Sequence, residues 1–430
     1  MSDDARRPGL TATARELWRA ERRLRWGPDE VARHQLMQVR RAVAHAAGVP
    51  LYKERLTDAP PLHSVADLAA LPMVERHHLV GCGIEDRRGT PATSRTLTKL
   101  TSGTTGSFLA VERSSRMAWW QGVLEVRRNR ARGVQPWERT AAVRVAADHR
   151  ARGGLFDALA GRSHVLPASD GPAAIAGALE RINPVAISGF GHLLLDVGAE
   201  LQRPLRPRVV GTGGQLLAEA DREALAALFG VPPLDLYGTV EVGSIAWECP
   251  AADLYHLEHD SVLVELVDPE GHPVPAGEIG DVVVTALLDR HMPVIRYRVG
   301  DRARFATRPC SCGYRGPALA ELQGRTMDRF IDSDGETVAS SRLFISAQID
   351  DAPRWVRRYR LVQGVDRSLV MHVVPAEPLP DAVVASIVAA YQAKLGSAVP
   401  VHVEMVDSIP LEPSGKLRQF VSHATCTPAD

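Results

Sequence analysis

Short apolar runs alternate with amphipathic stretches between about Thr98 and Val240. The runs at 140–147 and 207–214 are brief and rich in Val, Ala and Gly, while 219–229 has the apolar spacing of a helix. This alternation predicts βαβ units arranged around a mainly parallel sheet.

The pattern changes on either side of this region. The first hundred residues predict arginine-rich helices, interrupted by Gly-Val-Pro at 48–50 and by the proline-rich segment 58–62. Residues 256–305 alternate in the way of antiparallel strands separated by turns. The last hundred residues combine a strand at 368–375 with a helix at 381–396. We therefore expect an α/β protein: a large N-terminal domain with mainly parallel sheets and an antiparallel β segment, followed by a small α+β domain.

Composition narrows the possible partners. The 430 residues include 45% hydrophobic and 24% charged residues, with 51 basic and 51 acidic side chains. This balance is typical of globular proteins and argues against nucleic acid or an acidic membrane as a partner. The sequence shows no signal peptide and no run of about 18 apolar residues. A cytoplasmic enzyme acting on small molecules is the expectation.

A loop at 101–106 crowds four hydroxyls and two glycines into six positions. Small residues allow backbone N–H groups to approach a phosphate, and the hydroxyls can donate further hydrogen bonds. No Lys-Ser/Thr pair follows either glycine, so this is not a Walker loop. Taken alone, the segment could equally be an ordinary flexible loop.

Four further motifs follow this loop along the sequence. TSGTTG at 101–106, YGTVE at 237–241, RYRVGD at 296–301, GRTMD at 324–328 and PSGK at 413–416 occur in this order. The order resembles the adenylate-forming superfamily of acyl-CoA synthetases, peptide-synthetase adenylation domains and luciferases. The short length, the cysteines of ECP and CSCG, and VPLY at 49–52 are similar to the phenylacetate-CoA ligase family. The resemblance covers nearly the whole chain.

The resemblance implies a role for each motif. The predicted nucleotide-binding residues are Thr101, Ser102, Gly103, Thr104, Thr105, Gly106, Tyr237, Gly238, Thr239, Asp301 and Arg325. Glu241 would bind Mg²⁺, which prefers carboxylate oxygen, and Asp301 would accept both ribose hydroxyls of ATP. Each acid could instead be a plain turn residue.

The resemblance also implies a moving C-terminal domain. Asp328 matches the family's hinge, which divides the chain into an adenylation domain, 1–327, and a small mobile domain, 328–430. Lys416 would contact the α-phosphate and the substrate carboxylate and reduce their repulsion. It is one of four lysines among 51 basic residues, which suggests a need for a compact charge. A solvated surface lysine is the alternative.

A Cys…His…Cys-x-Cys set predicts a structural Zn²⁺ site with tetrahedral coordination. Its members are Cys249, His256, Cys310 and Cys312. His259 is a less favoured substitute for the histidine, and Cys82 and Cys426 have no evident partner. Free or buried thiols are the competing interpretation.

Several positions depart from the family pattern. Val240, Val299, Met327 and Ser107 replace residues that are more usual in the family, so nucleotide affinity could differ. The resemblance puts the acid pocket at Ser188, Gly189, Phe190, Gly213 and Gly214, where glycines would leave room for a flat ring. Gln215 stands where relatives often carry Glu. Plain turns are the alternative for both segments.

The sequence thus predicts an enzyme that uses ATP and Mg²⁺ to convert an aromatic or heteroaromatic acid to acyl-AMP, releases pyrophosphate and transfers the acyl group to CoA. A carrier-protein thiol or an amine is an alternative acceptor. A non-catalytic nucleotide-binding relative is a further reading, and the resemblance implies a homodimer.

Overall fold

The computed structural model describes residues 8–93, 96–101, 109–144, 162–214, 217, 219–325, 329–339, 343, 355–410 and 417–424. Within these ranges the α-helices are α1 (Leu10–Arg23), α2 (Pro28–Ala46), α3 (Pro50–Lys53), α4 (Arg76–Val80), α5 (Ser115–Ala131), α6 (Pro172–Ile182), α7 (Gly191–Ala199), α8 (Glu219–Phe229) and α9 (Asp381–Leu395). Short 3₁₀ turns cover Val65–Ala70, Glu85–Arg87 and Ala168–Asp170.

The described strands fall into two groups along the chain. The first group is β1 (Leu97–Thr101), β2 (Leu109–Arg113), β3 (Thr140–Arg144), β4 (Ser163–Pro167), β5 (Ala186–Ser188), β6 (Val209–Gly213), β7 (Pro233–Thr239), β8 (Gly243–Glu248), β9 (Tyr255–Leu257), β10 (Val262–Val267), β11 (Ile279–Ala286), β12 (Tyr297–Phe305) and β13 (Ala318–Arg325). The second is β14 (Arg329–Ile331), β15 (Thr337–Ala339), β16 (Val356–Gln363), β17 (Leu369–Pro375), β18 (Val401–Met405) and β19 (Phe420–Ser422).

Local sequence explains several helix ends. Pro28 occupies the first position of α2, where its missing N–H costs nothing, and Glu30 accepts a hydrogen bond from the Gly27 N–H at 3.0 Å. The Ser114 hydroxyl caps α5 by accepting from the Met117 N–H at 3.2 Å. Gly396, with φ +106°, follows the last turn of α9 in a conformation that favours glycine.

One 11-stranded sheet runs through the larger part of the chain, in the order β10-β11-β12-β13-β9-β8-β7-β6-β5-β3-β4. Pairings from β7 to β4 are parallel, and pairings from β7 through β8 to β10 are antiparallel. Both predicted kinds of strand are therefore confirmed. The sequence did not indicate that they form one continuous sheet, which changes from parallel to antiparallel at the β7–β8 hairpin.

Separate apolar clusters support the two halves of this sheet. Helices α6, α7 and α8 bury Leu179, Leu194 and Phe229 against the parallel half. The N-terminal helices, with Tyr52 among their buried side chains, pack on the antiparallel half. The junction thus lies between two separately packed halves, at the carboxyl ends of the parallel strands, where open α/β sheets bind ligands.

The C-terminal segment has a core of its own. Its strands form a sheet in the order β18-β17-β16-β19, and α9 buries Ile387, Tyr391 and Leu395 against it. Arg358 of β16 forms an ion pair with Asp196 of α7. The predicted α/β class with a smaller α+β part is confirmed, whereas the boundary at 327/328 lies on residues outside the described ranges. Among the described residues, no helix has the length and apolarity needed to span a membrane.

Candidate active site at the sheet junction

A cavity of about 410 Å³ lies along the parallel half of the sheet. The carboxyl ends of β5, β6 and β7 meet there because parallel strands end at the same edge. All five residues predicted for the acid pocket line this cavity: Ser188, Gly189, Phe190, Gly213 and Gly214. The structure therefore brings together two segments that are more than twenty residues apart in the sequence.

The turn between β7 and β8 borders the same cavity through Thr239 and Val240. Close backbone approach shapes this turn: a Cβ on Gly238 would lie 2.4 Å from the Gly243 carbonyl oxygen. The Thr239 hydroxyl accepts from the Val242 N–H at 3.3 Å, so it helps to close the turn. Arg113 of β2 donates to the Val240 carbonyl oxygen at 2.9 Å.

Glu241 sits in this turn and is buried, with 8% of its surface exposed. The Tyr297 hydroxyl donates to its Oε1 at 3.2 Å, and Arg76 Nη1 lies 3.6 Å from the same oxygen. A hydroxyl and a guanidinium therefore fix one carboxylate oxygen. This arrangement suits a metal ligand, because the hydroxyl and the guanidinium hold the carboxylate in one orientation.

Asp301 of β12 is held in a similar way. The Tyr237 hydroxyl donates to Asp301 Oδ2 at 2.8 Å, and both side chains are buried. Arg325 pairs with Asp301 across the β12–β13 ladder. The predicted residues Tyr237, Asp301 and Arg325 are thus neighbours, although the Arg325 side chain lies outside the description.

Other predicted residues cannot be located. Thr101 ends β1 opposite Leu109 of β2, and its side chain lies outside the description. The remaining loop residues, 102–106, and the predicted Asp328 and Lys416 fall outside the described residues. Lys99 of this hairpin does line the cavity.

The four predicted zinc ligands converge from three segments of the antiparallel half. Their donor atoms all lie within 4.8 Å of one another, with 3.5 Å between the sulfurs of Cys249 and Cys310 and 3.6 Å between Cys312 Sγ and His256 Nε2. Two thiolates on a tetrahedral zinc ion would lie roughly 3.8 Å apart. The spacing therefore fits a metal site.

The surroundings of this cluster also suit a metal. Burial lowers the pKa of His256 to about 4, so its ring is neutral, as a ligand must be. The Ala251 N–H and the Tyr314 N–H each donate to a cysteine sulfur at 3.4 Å. The alternative ligand His259 instead lies 2.8 Å, through Nδ1, from the Tyr314 hydroxyl. Cys82 is a free thiol, and Cys426 is outside the described residues.

Sequence reasoning missed a buried ionic network behind the site. Arg127 donates to Asp260 at 2.8 Å and also pairs with Glu258. Arg128 binds Glu258 at 2.7 Å and the Ser244 hydroxyl at 3.1 Å. The network therefore ties α5 to β8 beside the Glu241 turn. The only sequence signal was Glu-His-Asp at 258–260 between apolar runs, which does not reveal its partners.

Known proteins resemble this chain in sequence and in fold. A family model for the CapK C-terminal domain matches residues 330–423. The chain is 32% identical over 123 residues, 28% of each chain, to the phenylacetate-coenzyme A ligase of Thermus thermophilus, so this match spans under a third of that relative. It is 27% identical over 331 residues to the phenylacetate-coenzyme A ligase of Pseudomonas putida, covering 70% of this chain and 72% of that one.

A solved structure of 2-hydroxyisobutyryl-CoA ligase in the postadenylation state has the same fold. Its TM-score is 0.77 at 19% identity, and the match covers 99% of this chain and 95% of that one. The fold, the junction site and these relatives support a likeness to the adenylate-forming superfamily. Within that superfamily, the sequence is similar to phenylacetate-coenzyme A ligases.

Proposed function

We propose that this enzyme joins a carboxylic acid to AMP, releases pyrophosphate, and transfers the acyl group to CoA. The carrying observation is the pair of buried carboxylates at the sheet junction, Glu241 and Asp301, each fixed by a tyrosine hydroxyl. Glu241 directly follows Thr239 and Val240, which line a cavity large enough for a small acid, since ligand pockets typically measure about 300–1,000 Å³.

The two carboxylates have different tasks in this proposal. Asp301 accepts hydrogen bonds from the ribose hydroxyls of ATP, and Tyr237 orients it while flanking the adenine. Glu241 would hold Mg²⁺, a hard cation that prefers oxygen ligands and would supply positive charge beside the pyrophosphate group. The hydroxyls and amides of 101–106 hold the β- and γ-phosphates while the acid's carboxylate oxygen attacks the α-phosphorus.

The C-terminal segment supplies the remaining charge. Lys416 contacts the α-phosphate and the substrate carboxylate during adenylation, which reduces the repulsion between two anions. The segment then rotates about Asp328, so that Lys416 leaves and the acceptor thiol reaches the acyl-AMP. The division into 1–327 and 328–430 belongs to this proposal.

The acid is aromatic or heteroaromatic in this account. Gly213 and Gly214 line the cavity together with Phe190, and a flat ring suits a wall made of an aromatic side chain and two residues without side chains. A structural neighbour at a TM-score of 0.53 is an anthranilate CoA ligase bound to anthranoyl-AMP, and the sequence relatives are phenylacetate-coenzyme A ligases.

The acceptor has one specific alternative. An amide bond synthetase from Marinactinospora thermotolerans shares the fold at a TM-score of 0.52 and 22% identity. An amine, or a carrier-protein thiol, could therefore replace CoA in the second step. A non-catalytic relative is a weaker reading, because both buried carboxylates are kept and oriented.

We also propose that Cys249, His256, Cys310 and Cys312 hold a structural Zn²⁺. With four protein ligands the ion would leave no position for a substrate, so it would join β8, β9 and the 310–312 loop without taking part in the reaction. Metal analysis of protein purified without added metal should find about one zinc per chain. A homodimer remains a prediction that light scattering coupled to gel filtration tests.

The test is pyrophosphate release with Mg-ATP across aromatic, heteroaromatic and aliphatic acids, with CoA, an amine or no acceptor. Acid-dependent release supports adenylation, and stimulation by CoA but not by the amine supports the ligase. Stimulation by the amine alone supports the alternative. ATP binding without release on any acid would support the non-catalytic reading.

A further inference from the structure

The cavity extends well beyond the junction where the acid would react. It is lined by the last and the first residues of the same strands: Arg144 and Thr140 of β3, Ser188 and Ala186 of β5. With a rise of about 3.3 Å per residue, the four steps of β3 correspond to roughly 13 Å. The cavity is therefore longer than a single ring acid needs.

The two ends of this channel carry different cations. Lys99, Arg113 and Arg144 lie at the junction end, where the phosphates and the reacting carboxylate explain a positive charge. Arg132, the residue after α5, lines the far end together with Asn129. ATP chemistry at the junction does not account for this second cation.

The protein uses only part of the hydrogen-bonding capacity of the Arg132 side chain. Its Nη2 reaches two backbone carbonyl oxygens, those of Asp235 and Glu248, at 3.4 and 3.3 Å, which is long for such bonds. Among the described residues, neither its Nε nor its Nη1 has a hydrogen-bond partner. Its guanidinium also lies over the Trp247 ring at 5.6 Å.

Nearby carboxylates are bound to other groups. Glu248 pairs with Arg222 at 3.1 Å, and Glu258 pairs with Arg127 and Arg128. The Asp235 carboxyl accepts from the hydroxyls of Thr212 and Tyr255, each at 3.3 Å. Among the described residues that line the cavity, Glu125 is the one with a carboxylate. The far end is thus a cationic site at which Arg132 N–H groups can still donate hydrogen bonds to a ligand.

Burial and the neighbouring Arg128 lower the pKa of Arg132 to about 10. The group stays cationic at neutral pH, but its charge is poorly solvated. An anionic ligand group would restore the solvation that burial removes.

We propose that Arg132 recognises a second hydrogen-bond-accepting group, optimally a carboxylate, at the end of the acid substrate remote from the reacting carboxyl. This inference rests on the proposed function and specifies its substrate class: an elongated, rigid acid that is polar at both ends. Arg132 is a specificity residue in this account and takes no part in the reaction.

The test compares rigid acids that differ only at the far end: terephthalate against para-toluate, and the para,para′ biphenyl dicarboxylate against its methyl analogue. Binding is measured by calorimetry and turnover by pyrophosphate release. The diacid of each size should bind more tightly than its methyl partner, with the larger advantage for the biphenyl pair because of the channel's length. Para-hydroxy acids report whether a neutral acceptor suffices.

The variant Arg132→Met should weaken diacid binding roughly tenfold to a hundredfold, as expected for loss of a charge-assisted hydrogen bond, and leave the methyl acid nearly unchanged. Arg132→Lys keeps the charge and should retain part of the preference. Arg130→Met is the matched control, since Arg130 is 40% exposed and pairs with Glu21. Thermal unfolding checks that each variant is folded.

The inference would be overturned if neither diacid bound more tightly than its methyl partner. It would also be overturned if Arg132→Met and Arg132→Lys weakened the binding of diacid and methyl acid equally. Selective diacid binding without pyrophosphate release would support the inference and count against the proposed function. The two claims can therefore fail separately.

Discussion

The buried network around Arg127 should be the largest single electrostatic contribution to the stability of the site. Arg127 and its partners Glu258 and Asp260 have fully buried side chains, and Arg127 also donates to the Ala20 carbonyl oxygen at 3.1 Å. Removing one partner of a buried ion pair typically costs about 3–5 kcal/mol. Arg128 and Arg23 would remain beside the two acids, so we expect Arg127→Met to cost about 3 kcal/mol, the lower end of that range.

Urea unfolding measures this cost as a shift of the midpoint at constant slope. The control Arg130→Met changes a residue of the same helix, removes its half-exposed pair with Glu21 of α1, and should cost no more than about 1 kcal/mol. The account also predicts non-additivity, because Arg127→Met and Asp260→Asn remove the same pair. Equal costs for Arg127→Met and Arg130→Met, or simple additivity with Asp260→Asn, would refute the reasoning.

The same network predicts a pH dependence. Burial opposes ionisation of Asp260, but Arg127 and His259 outweigh it and hold the pKa of this carboxyl well below its ordinary value of 3.8. A depressed folded-state pKa stabilises the protein fully above the unfolded value and ceases to do so as pH falls through the folded value. Any loss of unfolding free energy between pH 4 and neutrality therefore comes from other groups. In Arg127→Met, the unfolding free energy should fall less steeply with decreasing pH below about pH 4.

Three further predictions concern single side chains. Tyr237→Phe removes the 2.8 Å hydrogen bond to Asp301 and should raise the KM for ATP about tenfold with the fold intact. An unchanged KM would argue against a contact between Asp301 and the nucleotide. Burial, and then Glu248, raises the pKa of Asp235 from 3.8 to about 6, so the folded protein keeps this proton to a higher pH than the unfolded chain. The free energy of unfolding should therefore fall as pH rises from 4 to 6, by at most about 3 kcal/mol. Asp235→Asn should flatten this fall in urea titrations at several pH values, and an unaltered curve would exclude Asp235 as its source. Cys310→Ser should lower both zinc content and unfolding temperature, while Cys82→Ser, outside the cluster, should change neither; equal effects would argue against a metal at Cys310.

The fold was largely predictable because its elements have strong local signals. The helix predicted at 219–229 is α8 within the same bounds, and the strand predicted at 368–375 is β17 less one residue. Periodicity reports which face of an element is buried, but it does not report which elements become neighbours. The union of the parallel and antiparallel strands into one sheet depends on β7, which pairs with β6 on one side and β8 on the other, and on the long-range β9–β13 pairing, which no local pattern reveals.

The same distinction between local and long-range information applies to the site residues. The convergence of Cys249, His256, Cys310 and Cys312 could be predicted because three of the five cysteines in the sequence belong to this set. Arg132 and Arg127 were not found, because 47 of the 51 basic residues are arginines and one more carries no signal. Their importance comes from burial and from which carboxylates their neighbours already bind, and both properties arise only in the folded chain.

The central claim, that the enzyme makes an acyl-AMP with Lys416 at the reacting groups, is tested most directly by acid-dependent pyrophosphate release from Lys416→Ala and Lys394→Ala. Lys394 is exposed on α9 and serves as the matched lysine. The account predicts that Lys394→Ala keeps the parent rate and Lys416→Ala loses at least about a hundredfold, with ATP binding retained. Equal release from the two variants would contradict it.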